Sequence, residues 1–553
     1  MIQDANSVPS GSELSCDVVI VGTGAAGIPC ACELIDSGKS VIVLESGGRN
    51  LEARSQALTE GEVDQSTGHG SLTQFRKRVF GGTTSVWGGR CAPFDEIDFE
   101  KRNYVAHSGW PITRGELDPF YRKAHDYLLT GDFDYTAATT VDGGEKPVIP
   151  GLGDETWKQD RLWRFSLPAN LGKEFGDRLD RATNVRTLLH ANALQLRTDG
   201  SGDEIRAVEV GTLDGNRFTV KAGTVVLAAG GLEVTRLLLV SNDVHTNGLG
   251  NGGDQLGRYY MSHMSGDLGE VRFTPGAGRL RWEYQRARDG VYVKRYLRPS
   301  EEAQRREGLL NFRCILTHPA FADAGHGSGV LSAAYLAKRF FKGQIPPEYS
   351  KEMAAPGFHN VPQHLKNIIL GSPGVVKFGL HWFLRRTLAR RKYPSISLKS
   401  QSNCYTLHFD AEQSPNPDSR VLLSRERDVF GQPQVKVDWS YQDRDLQSVV
   451  RWKELLAENL KASGAGVFTK DPEQCRELIM RGFGVGSHHI GTTRMSDDER
   501  TGVVDRNCQV HGVRGLFVAS PSVFPTGSFA NPVLTTTALS IRLATHLKSL
   551  DKS

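Results

Sequence analysis

Metal-ligand spacing is missing from this chain. Its eight cysteines, at 16, 30, 32, 91, 314, 404, 475 and 508, form no C-x-x-C pair and no cluster with histidine, which excludes a zinc site and leaves reduced thiols as the expectation. An unbroken apolar run long enough to cross a bilayer is missing too: the best candidate, residues 18–35, is interrupted by Gly22, Gly24, Gly27 and Pro29. The N-terminus Met1-Ile2-Gln3-Asp4 lacks a basic stretch followed by an apolar core, so a cytoplasmic protein is expected. Nor is one sign of charge in excess. Lys plus Arg number 67 against 63 Asp plus Glu, a formal net charge of +4 over 553 residues, too weak a field to argue for nucleic acid as a partner. With 39% hydrophobic and 24% charged residues the composition is that of a globular protein, long enough for two domains.

Glycine is what the chain has in abundance. Sixty glycines make about 11% of the residues, against about 7% usually, so many positions need positive φ or close approach of backbone to a ligand. The first of them are ordered. Cys16-Asp17-Val18-Val19-Ile20-Val21 is short, β-branched and stops at a glycine, which predicts a buried strand. It runs into Gly22-Thr23-Gly24-Ala25-Ala26-Gly27, then a predicted helix over residues 31–37 ending near Gly38, then a second strand, residues 40–44, ending at Glu45. A bare G-x-G-x-x-G is weak evidence. Between strand and helix, with an acid about 20 residues on, it predicts a dinucleotide site. Gly22 makes the tight turn, Gly24 lets the backbone approach a pyrophosphate, and Gly27 lets helix and strand pack, with phosphate at the helix N-terminus. Glu45 would accept from ribose hydroxyls and repel a 2′-phosphate, so FAD or NAD fits and NADP does not.

A second block, Arg78-Val79-Phe80-Gly81-Gly82-Thr83-Thr84-Ser85-Val86-Trp87-Gly88-Gly89-Arg90, sets four glycines and three hydroxyls around one Trp and suits the face of a planar ligand. Downstream, Val225-Val226-Leu227-Ala228-Ala229-Gly230-Gly231 predicts another strand of the same sheet, reached after an antiparallel meander over residues 185–220. Residues 404–409, 420–424 and 434–439 alternate like strands of one antiparallel platform. A helix carrying Leu446, Val449, Val450, Leu456 and Leu460 follows and stops at Gly464. Near the C-terminus, Gly486-Ser487-His488-His489-Ile490-Gly491-Thr492 places two histidines beside a glycine turn. A strand over residues 516–519 leads to Ser520 and on to Asn531-Pro532-Val533, where Pro532 suits the first helical position and Asn531 the cap of a closing helix over residues 533–547. Such a helix end would stabilise negative charge developing on a reduced ring.

In order and spacing these segments resemble the glucose–methanol–choline (GMC) family of FAD-dependent oxidoreductases over nearly the full length, and within it the pyranose-oxidising and sugar dehydrogenase branches. The resemblance implies an α/β fold. A Rossmann-like FAD-binding domain would be discontinuous over residues 12–105, 185–264 and 482–550, and a discontinuous antiparallel-sheet substrate domain with connecting segments would take residues 106–184 and 265–481. It implies FAD contacts from Gly22, Gly24, Ala25, Ala26, Gly27, Glu45, Ser46, Gly81, Gly82, Thr83, Ser85, Trp87, Gly88, Gly89, Ala193, Ala229, Gly230, Ser520, Asn531, Pro532 and Val533. His488, the first residue of H-x-x-G-T, is implied as the base for an alcohol and Asn531 as the group holding its oxygen, while His489 is read as supporting. The chemistry agrees. An imidazole titrating near 6.5 can take the hydroxyl proton when neutral, a flavin can take the hydride, and an Asn can only donate through its amide.

Some sugar-oxidising relatives attach FAD through a His at the position of Val86, which has no nucleophile, so non-covalent FAD is expected. The implied substrate is a small-molecule alcohol, a sugar or glycoside hydroxyl, with oxygen, a quinone or a protein as electron acceptor. Hydroxynitrile-lyase-type chemistry and flavin binding without turnover are the alternatives. Residues 335–342 and 378–392, with Arg385, Arg386, Arg390 and Arg391, alternate aromatic and basic character. They are read as a solvated face, an interface between subunits of a homo-oligomer or a lid, with a membrane surface or an acidic partner as the other readings.

Overall fold

The computed structural model describes residues 1–167, 169–275, 279–338, 357–400, 402–482 and 487–550, with backbone alone for 481 and 482. Gly486 and residues 339–342, both part of the motifs above, lie outside the described residues.

The architecture is mixed α/β and its centre is a six-stranded sheet in which every pairing is parallel. The order runs Ile2–Asp4, Val185–Leu189, Val41–Leu44, Val18–Val21, Thr224–Leu227 and Leu516–Val518. Strands covered on both faces read as continuous apolar runs rather than alternations, and Val18–Val21 and Val41–Leu44 are buried at all four positions. The helix after the first glycine turn spans Gly27–Glu33, four residues earlier than the sequence predicts at both ends, because Leu34 begins a turn that closes at Gly38 with φ of 83°.

Two strand assignments change. Residues 185–189 belong to the parallel sheet, so the meander reduces to Asn192–Thr198, Ile205–Gly211 and Arg217–Lys221, its far edge completed by Glu13–Ser15. The expected single platform is two sheets. Cys404–Ala411 lies between Phe312–Thr317 and Met264–Phe273, antiparallel to both, with Gly466–Phe468 on the outer edge. Arg420–Arg427 and Pro433–Asp438 instead form a hairpin whose second strand pairs in parallel with Gly61–Val63. Alternation tells which face of a strand is buried and not which neighbour it takes, so three similar segments gave no sign of the split.

The helices Arg114–Leu128 and Leu171–Arg181, expected with the substrate domain, bury Leu117, Tyr121, Ala124, Leu171 and Leu179 in the same core as the parallel sheet. The first of them packs along the closing helix, Val533–Ser549, and Tyr121 and Thr535 share a hydrogen bond of 2.8 Å between their hydroxyls. No helix among the described residues is long and apolar enough to cross a membrane, and no group of His, Cys, Asp and Glu among them could hold a metal ion.

Candidate active site

One cavity of about 1580 Å³ runs from the first glycine turn to the antiparallel sheet. At its inner end the turn takes the shape the spacing requires. Gly22 has φ of 104° and a Cβ there would lie 2.7 Å from the Ala228 carbonyl oxygen, while a Cβ at Gly27 would lie 1.9 Å from the Gly22 carbonyl oxygen. Gly24 has nothing within 4 Å of where its Cβ would be, so its backbone faces open space. Ala26 precedes the helix without a side-chain cap. Glu45 is buried and accepts from the Thr23 N–H (3.1 Å), the Thr23 hydroxyl and the Gly47 N–H (2.9 Å). Burial raises its carboxyl above the usual range, opposed by those hydrogen bonds.

Of the residues implied to touch the cofactor, Gly22, Gly24, Ala25, Ala26, Glu45, Ser46, Gly82, Thr83, Trp87, Gly88, Gly89, Ala193, Ala229, Gly230, Asn531, Pro532 and Val533 line the cavity. Gly27, Gly81, Ser85 and Ser520 do not. Gly27 serves helix packing, Gly81 is pressed against Gly172, the Ser85 hydroxyl donates to the Gly82 carbonyl at 2.8 Å, and Ser520 caps the short turn Pro521–Val523. Trp87 lines the wall but is held by its indole N–H, which donates to the Ala169 carbonyl at 2.8 Å.

The chain fits a flavin dinucleotide on an observation independent of the motif. Asn192, buried and on the cavity wall, leaves its side-chain oxygen with no partner although its amide nitrogen donates to the Gly211 carbonyl at 3.1 Å. A ligand N–H in the cavity would supply what that oxygen lacks.

The two ends of the chain meet here. Thr537 and Ser540, on the closing helix, donate to the Ala25 and Ala26 carbonyls at 2.9 and 2.6 Å. Pro532 is the residue that precedes this helix, and Asn531 does not cap it. The Asn531 amide turns instead to His488, with 3.2 Å between Nδ2 and Nε2.

His488 reaches the cavity because its segment pairs with a distant one. Met261 and Ile490 exchange backbone hydrogen bonds of 3.0 and 3.1 Å in an antiparallel bridge, and two residues onward on one side and two back on the other bring His263 opposite His488. Gly491 follows with φ of 92°, and a Cβ there would lie 2.1 Å from the Tyr259 carbonyl oxygen, so only glycine permits this approach. Thr492 secures the turn, its hydroxyl 2.8 Å from that of Thr235.

The bridge sets a chain of hydrogen bonds that the sequence reading missed, since nothing local to His263 marks it as a partner of His488. His263 Nε2 is 3.0 Å from the Gly527 carbonyl oxygen, His263 Nδ1 is 2.9 Å from His488 Nδ1, and His488 Nε2 faces Asn531. A carbonyl only accepts, so His263 carries its proton on Nε2 and presents a bare Nδ1. His488 must then be protonated on Nδ1, which leaves Nε2 with its lone pair toward the Asn531 amide. Desolvation above all holds the His488 imidazole well below its ordinary value, and burial lowers His263 to about 4. His489 turns elsewhere, its ring parallel to Tyr260 with centroids 6.2 Å apart.

Beyond His488 the cavity wall is polar, another part the sequence did not disclose. Ser265, Asp267, Thr317, Thr406, His408 and Asp410 line it from three adjacent strands. Asp410 is paired with Arg313 and lies 3.4 Å from Arg90, and Asp267 is 2.9 Å from His408 Nδ1.

Residues 415–540 match the GMC oxidoreductase family and residues 17–59 match an FAD binding domain. The chain is 25% identical to 2-methyl-1,2-propanediol dehydrogenase of Mycolicibacterium austroafricanum, over 96% of this chain and 95% of that one. It is 35% identical to C-glycoside 3-oxidase of Microbacterium trichothecenolyticum over 25% of this chain and 26% of that one. Among solved structures it is similar to pyridoxine 4-oxidase from Mesorbium loti, with a TM-score of 0.54 and 16% identity over 96% of this chain and 99% of that one, which speaks to the fold alone. With the glycine turn, the cavity and the histidine-bearing bridge all present on that fold, the protein is an FAD-dependent alcohol oxidoreductase that carries a GMC oxidoreductase segment at residues 415–540.

Proposed function

We propose that the substrate is a hydroxyl of a sugar or glycoside, oxidised to a ketone or aldehyde with His488 as the base. The observation that carries this reading is the bare Nε2 of His488 facing the Asn531 amide at 3.2 Å on the cavity wall. A hydroxyl lying beside both atoms, in place of their mutual hydrogen bond, would give its proton to Nε2 and receive a hydrogen bond from Nδ2. The imidazolium so formed keeps its Nδ1 proton in the hydrogen bond to His263, so His488 gains charge without turning. FAD, which the glycine turn, Glu45 and the C-terminal helix end would hold, would supply the acceptor for the hydride leaving the alcohol carbon. Because desolvation holds the imidazole well below its ordinary value, the neutral base persists into more acidic solution than a free imidazole would and is lost as pH falls through that lowered value.

The polar wall supports the substrate class. Six side chains that donate or accept hydrogen bonds suit a molecule with several hydroxyls. The resemblance to a C-glycoside 3-oxidase points the same way. The test is anaerobic. Sugars and glycosides added to the purified protein are expected to bleach its yellow colour, and readmitting air then distinguishes oxygen from a quinone or protein as acceptor. Colour unchanged across the series would leave a non-redox role for the flavin.

The FAD is proposed to be held without a covalent bond. Val86 lines the cavity and is 57% exposed, yet has no nucleophilic atom. Acid precipitation is expected to leave all the yellow cofactor in the supernatant, and colour retained in the pellet would contradict the proposal.

A further inference from the structure

The helices Val361–Leu370 and Ser372–Trp382, the latter continuing through a wide turn, Phe383–Leu388, are built inside out. The only residues that the first helix buries are polar. His364 Nδ1 is 2.9 Å from the Ser332 hydroxyl, and the Asn367 amide donates to the Ala324 carbonyl at 2.8 Å. Its large apolar residues face the other way, with Leu365 at 48%, Ile369 at 71% and Leu370 at 74% exposure. The second helix and the wide turn bury nothing, and Val376, Leu380, Phe383, Leu384 and Leu388 are each at least half exposed. Val376, Leu380, Leu384 and Leu388 recur every four residues, with Phe383 beside them, in one outward stripe. A helix meeting only water would show the reverse pattern.

Along the sequence of this segment charge has one sign, although Lys399 lies 3.7 Å from Glu283, outside it. Between Glu352 and Asp410 the sequence contains no acidic residue, in a chain with 63 of them, while Lys366, Lys377, Arg385, Arg386, Arg390, Arg391, Lys392 and Lys399 all fall there. Arg386 is tied inward to the Tyr393 and Pro394 carbonyls and Arg391 to the Leu129 carbonyl, whereas Lys366, Lys377, Arg385 and Arg390 are exposed beside the apolar stripe. Phe378 and Trp382 are half-buried, their ring centroids 5.8 Å apart.

We propose that this face docks on an anionic lipid bilayer, the apolar stripe entering the interface and the lysines and arginines meeting the headgroups. Convex helices with outward apolar side chains, a basic margin and aromatic residues near the boundary are what an interfacial element requires. Two-fold contact with a second copy would bring the same cationic margins together, so charge disfavours self-association. The orientation has a consequence for the cavity, because Arg386, Pro394 and Ser395 of the same segment line it. Docking brings that part of the cavity wall to the membrane surface.

The test is co-sedimentation of the FAD-loaded protein with vesicles. Binding is expected to phosphatidylcholine vesicles containing about one-third phosphatidylglycerol, to weaken in high salt, and to be far weaker with phosphatidylcholine alone. Lys377→Gln with Arg390→Gln is expected to weaken binding roughly tenfold or more. Leu380→Asp with Phe383→Asp is expected to abolish it, while retained flavin absorbance in each variant shows that the fold survives. Equal sedimentation of the wild type with and without anionic vesicles overturns the proposal. So does an oligomer in analytical ultracentrifugation that the Leu380→Asp, Phe383→Asp variant converts to monomer while vesicle binding is absent throughout.

Discussion

Replacing His488 by alanine is expected to stop substrate-driven bleaching of the flavin almost completely while the protein remains yellow. His488 is joined to the rest of the site through its ring nitrogens, one to His263 and one facing Asn531, and the glycine turn that holds the dinucleotide lies on other segments. Cofactor retention and base function are therefore separable. A general base contributes about 10²- to 10⁴-fold, so the anaerobic reduction rate measured by stopped flow should fall by at least the lower figure. The alanine leaves no nitrogen to receive the proton, and Asn531 cannot substitute because its amide has no titrating proton and no basic lone pair. Bleaching at the wild-type rate in this variant would falsify the assignment of His488. Loss of the flavin itself would instead place His488 in cofactor binding.

The second large effect concerns a residue that does not face the substrate. His263 presents the acceptor that keeps the His488 proton on Nδ1, with its own tautomer set by the Gly527 carbonyl 3.0 Å away. Without that acceptor His488 is free to move its proton to Nε2, where it blocks the position that must receive the substrate's. His263→Leu is thus expected to lower kcat by about 10- to 100-fold, the range found when a partner orienting a functional histidine is removed, with KM little changed. The pH profile provides a readout that mere structural damage would not move. His488 is held well below its ordinary value by burial first. A neutral His263 accepts from Nδ1–H and so favours the imidazolium; leucine removes that acceptor and lowers the imidazole further. The base works only when neutral and fades as pH falls through its pKa, so the acid limb of kcat/KM should move further toward acid in the leucine variant. His263→Asn, whose side-chain oxygen can still accept from Nδ1–H, should recover part of both effects. A leucine variant with unchanged kcat and an unmoved acid limb would exclude the positioning role.

How much of this was legible beforehand follows sequence distance. The dinucleotide turn could be read because strand, glycines, helix and acid are consecutive, and each glycine answers a local steric demand that Gly22 and Gly27 meet in the structure. The helix Asp443–Ala462 and its stop at Gly464 were readable for the same reason, as an apolar stripe ended by a residue with φ of 67°. Val185–Leu189 was misplaced because alternation within a strand does not name its neighbour, and Asn531 was expected at a cap because its turn toward His488 depends on a segment more than 40 residues away. The polar wall drew Ser265, Asp267, Thr317, Thr406, His408 and Asp410 from three strands whose adjacency no local pattern records.

What the amino-acid order determined by itself was the set of short-range devices: a phosphate-cradling turn, a histidine beside a glycine, and helices with defined ends, since propensity and steric limits act over a few residues. What only the tertiary structure decided was partnership. The bridge between Met261 and Ile490 places His263 against His488, and the closing helix ties itself to the loop at Ala25 and Ala26 across more than 500 residues. Those pairings are settled when whole sheets and helices pack, because a hydrogen bond between distant segments has no signature in either segment alone.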